Sequence, residues 1–432
     1  MEPLFAGFAA RVITPSEGVA MAGYAARTGG AVGIHDDLYT NAAVLRHQDQ
    51  LAILISLDLL EVPDYLATRI CREIHERTQI PMDAILVAAT HTHSGPVVIE
   101  TSDARQQSVV DKIAEAAVDA ALQALTALEP VKVKVGSVQV PGIAKNRRTL
   151  EPSPDCDLNF IGFYAGDELK GCIINFPLHP TVLGAENRQI TADYPGYLRR
   201  TVEEAHPGCC VLFFNGATGN VNIGYSADAS ALGEVYNFRT FEKAAEIGGR
   251  LGQAAIDGLE SGPWQEQVVI KVRKVDVSLP LKDLPGVHEL EMMISRKARE
   301  IETLRGVHTA TDKREQLEIS KIYLECLKDL IAAHKLEGFR EAAVPLQAVR
   351  IGSAVLLAVP GELFAELGLS IRQSRRDLQV FIVGYANGSW GYLPTPEAYG
   401  QGGYEVETSL FARSMGDVLV KGAVKLVAAA AD

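Results

Sequence analysis

Cysteine is scarce: the chain of 432 residues has six, Cys71, Cys156, Cys172, Cys209, Cys210 and Cys326, none in CxxC spacing. That spacing indicates neither a disulfide framework nor a thiolate zinc site, and the thiols read as buried and free. No run approaches the roughly 18 apolar residues that span a bilayer. Positive charge is also in deficit, with 41 Lys and Arg against 54 Asp and Glu and a formal net charge of -13. With no local basic patch to offset it, nucleic acid and membrane insertion are not expected. Met1–Ala10 lacks a basic segment followed by an apolar run, so a cytoplasmic location is expected. There is no internal repeat and no low-complexity linker.

What is present is a composition of 47% hydrophobic and 22% charged residues, enough to bury a full core. Short β-branched runs alternate with helical patterns, which predicts an α/β fold of mixed β-sheets flanked by helices. The clearest helix is Gln107–Leu128, alanine-rich and closed by Glu129-Pro130. Charge density rises over residues 282–340, where Leu290, Met293, Ile294 and Ile301, then Leu317, Leu324, Leu327 and Ile331, fall at helical spacing. This predicts a helical hairpin inserted in the α/β domain, its second helix opened by an Asp312/Glu315 capping box. Its expected role is a solvated prop, with a lid or a dimer contact as the alternative; the Gln401-Gly402-Gly403 segment is a further candidate contact or lid.

Six apolar runs end in residues that do not belong in a core. Leu51–Leu57 ends in Asp58, and Ile85–Ala89 in Thr90-His91-Thr92-His93-Ser94-Gly95-Pro96. Cys172–Phe176 leads to His179-Pro180-Thr181, and Val211–Phe214 to the segment from Asn215 to Asn220. Ala354–Val359 ends in Pro360-Gly361-Glu362, and Val380–Val383 in Gly384-Tyr385-Ala386-Asn387. Ligands in open α/β sheets bind beyond the carboxyl ends of parallel strands, so these tips are candidates for one shared site.

The His91-x-His93 pair is the sharpest local feature, because alternate residues of an extended segment project to one side. Catalytic zinc takes three or four protein ligands, and His179 and Glu362 are the best remaining donors. Asp58 suits a supporting role, accepting a ring N–H and fixing a histidine tautomer. His47, His75, His206, His288, His308 and His334 read as solvated surface imidazoles, whereas the glycine beside His35 could turn it toward a pocket.

These residues resemble a family, the neutral/alkaline non-lysosomal ceramidases, in their N-terminal catalytic domain and in the smaller bacterial proteins related to it. The resemblance runs through Thr14-Pro15, Met21-Ala22-Gly23-Tyr24, the THTHSGP segment, Asn146-Arg147-Arg148, His179-Pro180-Thr181, Asp193-Tyr194-Pro195-Gly196, Pro360-Gly361-Glu362 and the stretch Tyr392–Tyr399. It implies one zinc ion per chain held by His91, His179, Glu362 and Tyr392. It also implies that His93, Arg147 and Tyr404 surround a substrate carbonyl.

The sequence departs from that family in three ways. Its Gly-Asp-Val-Ser-Pro-Asn segment reads Gly219-Asn220-Val221-Asn222-Ile223 here, so the serine hydroxyl is replaced. Asn222 can donate to an oxyanion but cannot form an acyl-enzyme, which leaves metal-activated water as the attacker. The sequence stops at Asp432, leaving no room for a C-terminal immunoglobulin-like domain, so residues 1–432 read as one catalytic domain. It also shows no secretion signal and no membrane-docking segment, which favours a small soluble substrate over ceramide.

The expectation is a zinc-dependent hydrolase cleaving an amide or ester bond, with His93 and Arg147 stabilising the oxyanion and Tyr404 or Asn222 aligning the scissile group. On this reading His91→Ala loses metal and activity, whereas His93→Ala keeps metal and loses rate. The alternatives are a true ceramidase, a binuclear amidohydrolase, and a non-catalytic zinc- or ligand-binding protein. A homo-oligomer is compatible with the sequence.

Overall fold

The computed structural model describes residues 3–305 and 311–432. Two mixed sheets stack face to face with helices on both outer faces, as the sequence pattern predicts. The larger sheet has eight strands in the spatial order Cys210–Asn215, Glu168–Phe176, Asp157–Ala165, Glu129–Gln139, Leu4–Val12, Tyr39–His47, Gln50–Leu57, Ile85–Ala89. The smaller has four, in the order Ile270–Pro280, Glu341–Ile351, Ala354–Ala358, Gln379–Val383.

The period-two alternation of a strand divides the core. Along Tyr39–His47, Ala42 and Val44 face helices α1 (Asp64–Thr78) and α2 (Ala104–Thr126), while Ala43 and Leu45 face the second sheet. Helices α3 (Tyr194–Ala205), α4 (Ala227–Ala231) and α5 (Phe241–Ser261) follow in the chain. Of these, α3 and α5 cover Phe160, Ile174, Val211 and Phe213 on the same outer face of the large sheet. Buried amides stitch the sheets together: Asn175 Nδ2 donates to Phe214 O at 3.0 Å and Ile382 O at 2.8 Å.

Helix α2 starts three residues earlier than the periodicity indicates, because the Asp103 carboxylate caps it by accepting from the Arg105 and Gln106 N–H groups. It ends at Thr126, and Glu129-Pro130, which reads as a helix stop, instead opens a strand. Residues 287–303 and 311–334 form α6 and α7, which pack on each other; the intervening 306–310, including His308, lie outside the described residues. Leu290, Leu327 and Ile331 bury against the outer face of the four-stranded sheet, beside α8 (Ala365–Gln373) and α10 (Met415–Ala431). Between those two helices the four-residue α9, Tyr404–Glu407, follows the Tyr392 segment. Among the described residues no helix is long and apolar enough to cross a membrane.

Candidate metal centre

Although most neighbouring strands run antiparallel, the six polar strand tips belong to three parallel pairs. Gln50–Leu57 pairs with Ile85–Ala89, Glu168–Phe176 with Cys210–Asn215, and Ala354–Ala358 with Gln379–Val383. Each pair delivers two tips to the same side, which is how side chains so distant in sequence meet. His91 takes a left-handed backbone, φ 73°, a conformation an L-residue adopts only when its surroundings over-determine it. Its N–H is tied to Leu59 O at 2.9 Å.

The three rings of His91, His93 and His179 are held in the same way. Each Nδ1 donates to a backbone carbonyl: His91 to Leu60 at 2.6 Å, His93 to Gly23 at 2.9 Å, and His179 to Thr218 at 2.9 Å. The protons are thereby committed to Nδ1, and every Nε2 presents a lone pair. These lone pairs converge, with His91 Nε2 at 3.0 Å from His179 Nε2 and 3.2 Å from His93 Nε2. Glu362 Oε2 lies 3.3 Å from His179 Nε2 and 3.7 Å from His91 Nε2.

Burial and the neighbouring imidazole push His91 down to about 3. Burial and the Arg147 charge push His179 to about 3, and His93 also lies well below its ordinary value for want of solvation. Neutral rings with opposed lone pairs repel unless they share a cation. Tetrahedral zinc with Zn–N bonds of 2.0–2.1 Å sets its nitrogens about 3.3–3.4 Å apart, close to the 3.0 and 3.2 Å that separate His91 Nε2 from the other two, and all three nitrogens lie within 4.8 Å of one another. The donor set fits such an ion.

Glu362 and Tyr392 sit opposite each other on two short parallel strands, Glu362–Leu363 and Tyr392–Leu393. Burial raises the Glu362 carboxyl. The Tyr392 hydroxyl accepts from Arg147 Nη2 at 3.0 Å, while Arg147 Nε donates to Glu405 Oε1 at 2.7 Å. Arg148 Nη1 donates to the other Glu405 oxygen at 2.6 Å. Burial alone would raise the Glu405 carboxyl, but the two guanidiniums outweigh it and hold it below its ordinary value.

Tyr385, also at a strand tip, stacks on His91 with ring centroids 3.8 Å apart, and its hydroxyl meets Thr218 Oγ1 at 2.6 Å and Glu362 Oε2 at 3.5 Å. Tyr385 lies at one of the six strand tips that the sequence marks as candidates for a shared site, although no role is read for it there. Glu405 carries no such signal, because only the fold brings it under two arginines.

Several expected roles change. With its Nδ1 proton on Gly23 and its Nε2 in the cluster, His93 has no proton left to donate to an oxyanion in its neutral form; it stands with the donor set instead. Asp58 does not orient a histidine. It is fully buried in an ion pair with Arg199, 2.8 Å from Nη2, and accepts the Tyr39 N–H, so the supporting acceptors are backbone carbonyls. The Asn222 carboxamide closes its own turn, one Nδ2 proton on Tyr225 O at 2.8 Å and Oδ1 accepting from the Gly224 and Tyr225 N–H groups, which leaves a second Nδ2 proton as its one remaining donor.

Tyr404 stands edge-on to Tyr392 at 5.7 Å, beside the donor set. His35 is turned away, stacked on Phe241 and 2.8 Å from the Tyr197 hydroxyl. His334, expected to be solvated, stacks on Trp390 at 3.8 Å. His75 is likewise tied down, its Nδ1 bonded to Ile80 O at 2.8 Å.

Gly23 shows why its segment must be glycine. It has φ 104°, and an added Cβ would lie 2.7 Å from the His93 Cβ, Cγ and Nδ1 atoms. Gly23→Ala is therefore expected to displace the His93 ring and weaken metal binding by roughly tenfold or more, as loss of a ligand's supporting partner does. Chelator competition measures this, and an unchanged affinity would show that His93 is not held from Gly23.

Residues 6–210 match the family described as neutral/alkaline non-lysosomal ceramidase, N-terminal. The neutral ceramidase of Pseudomonas aeruginosa is 23% identical over 91% of this chain and 67% of its own length. That of Mycobacterium tuberculosis is 23% identical over 91% of this chain and 71% of its own. In fold, the chain is similar to the crystal structure of the Pseudomonas aeruginosa neutral ceramidase, with TM-score 0.75 and 20% identity over 99% of this chain and 74% of that one. A structure described as a ceramidase complexed with C2 gives TM-score 0.74, also at 20% identity, over 99% and 75%.

Proposed function

We propose that this chain, whose residues 6–210 match the neutral/alkaline non-lysosomal ceramidases, is a zinc-dependent hydrolase cleaving the amide bond of a small, soluble N-acylated amine. The observation that carries this reading is the convergence of three Nε2 lone pairs whose Nδ1 protons are all committed to backbone carbonyls, with Glu362 beside them. His91, His93, His179 and Glu362 would hold the ion, with Tyr392 at the edge of the set. A zinc ion there supplies Lewis acidity, polarising an amide carbonyl and lowering the pKa of water.

The chain's own groups do the rest. Arg147, fixed through Glu405 and Tyr392, is a rigid cationic donor for negative charge developing on the carbonyl oxygen, and such a donor is worth about a hundredfold or more in turnover. Tyr404, a half-buried phenol against Tyr392, lines the place where the scissile group would lie. No hydroxyl stands at Asn222 to form an acyl-enzyme, so attack falls to water.

A second reading, a true ceramidase, draws support from the names of the two curated relatives. Assays of acid and amine release from a short N-acyl amine and from N-acylsphingosine in detergent micelles separate the two. The expected result is hydrolysis that a chelator abolishes and zinc restores, faster on the short substrate. A strong preference for N-acylsphingosine would favour the ceramidase reading; hydrolysis indifferent to chelation would remove both.

A further inference from the structure

Helix α7 carries two stripes. The one legible in sequence, with Leu327 and Ile331 at its centre, is buried on the four-stranded sheet. The other runs through Tyr323, Cys326, Leu330 and His334, spaced by three, four and four residues and so on one face of a helix. Every member of it touches the segment that carries Tyr392 or the neighbouring Tyr404. Tyr323 stands edge-on to Tyr404 at 5.7 Å, and Cys326 Sγ lies 3.7 Å from the Tyr404 hydroxyl. Leu330 fills the space beside Gly391, where an added Cβ would meet its Cδ1 at 2.8 Å. His334 stacks on Trp390 and its Nε2 bonds Ser389 O at 2.8 Å.

The same helix is fastened across the site. The Tyr323 hydroxyl donates to Asp228 on α4. Just before α4, Tyr225 donates to Thr181 O at 2.6 Å, two residues from His179. A continuous rim thus runs from α7 through α4 to the histidine side. We propose that this face of α7 is the specificity wall of the site, limiting the acyl group to short chains. The proposal rests on the amide-hydrolase reading and adds to it the size of the substrate.

The test is the ratio of kcat/KM for the N-dodecanoyl and N-acetyl derivatives of one amine, in the full chain loaded with zinc. Tyr323→Ala, which removes the ring and the Asp228 fastening, is expected to raise the long-to-short ratio by roughly tenfold or more, since a pocket discriminates by about that much per methylene group or more. Cys326→Trp, which thickens the wall, is expected to lower it. Tyr323→Phe keeps the packing and releases only Asp228, so it should raise the ratio by less, and it serves if the alanine variant does not fold. A role confined to stability would alter the melting temperature and leave the ratio alone. An unchanged ratio in the folded variants overturns the wall while leaving hydrolysis intact; a wild-type chain that cleaves neither compound overturns the hydrolase reading and the wall with it.

Discussion

His91→Ala is expected to abolish both zinc retention and hydrolysis, and His93→Ala to weaken both. His91 is central to the cluster: its Nε2 lies 3.0 Å from His179 and 3.2 Å from His93, and it also faces Glu362 at 3.7 Å. Removing it takes away the donor that the others share. His93 sits at the rim with its proton fixed on Gly23, so its loss should lower zinc affinity by at least the roughly 10–100-fold seen when a ligand's supporting partner is removed. The sequence alone implies the opposite for His93, metal kept and rate lost. Metal analysis after dialysis, followed by chelator competition, decides between the two, and a full complement of zinc in His91→Ala would sink the assignment of the centre.

A pH dependence follows from the same rings. Burial holds His91 and His179 near 3, below the ordinary value of 6.5, so between those limits the unfolded chain binds protons that the folded chain refuses. Stability conferred by the neutral rings is therefore present above about pH 6.5 and lost as pH falls through that window. Melting temperatures of chelator-treated protein should fall between about pH 6.5 and 4, and a flat profile would show that the rings are not held neutral.

What could be read from sequence was set by local chemistry. Polar residues after apolar runs announce themselves, because a histidine or glutamate at a strand end has no place in a core. His91, His179 and Glu362 were legible for that reason, and the fold brings them together. What escaped depends on neighbours distant in the chain. Nothing in the sequence around Asp58 indicates that Arg199 will neutralise it, and nothing near Asn222 says that its amide will close its own turn. The proton on His93 is decided by a carbonyl 70 residues away. The second face of α7 was hidden because its residues, a tyrosine, a cysteine, a leucine and a histidine, make no hydrophobic stripe; the loop they meet gives them a common direction.

Glu405→Gln should be the most damaging change outside the donor set. The carboxylate is only 2% exposed and takes Arg147 on one oxygen and Arg148 on the other. Glutamine keeps the shape but takes away the carboxylate that two guanidiniums share, and breaking a buried pair in this way costs about 3–5 kcal/mol. It also frees Arg147, whose other anchor, the Tyr392 hydroxyl, is a neutral group. A fall in kcat of about a hundredfold is expected along with the lower melting temperature, because a donor that must reorganise stabilises little charge.

The effect carries its own pH signature. Because the Glu405 carboxyl is held below its ordinary 4.5, the stability it confers is fully present above that value and is lost as pH falls through the lower, folded-state value. Wild type should therefore lose stability in that acid range, while Glu405→Gln, already without the charge, should show a shallower decline there. A glutamine variant with wild-type melting temperature and wild-type kcat would mean that Arg147 needs no carboxylate to hold it in place.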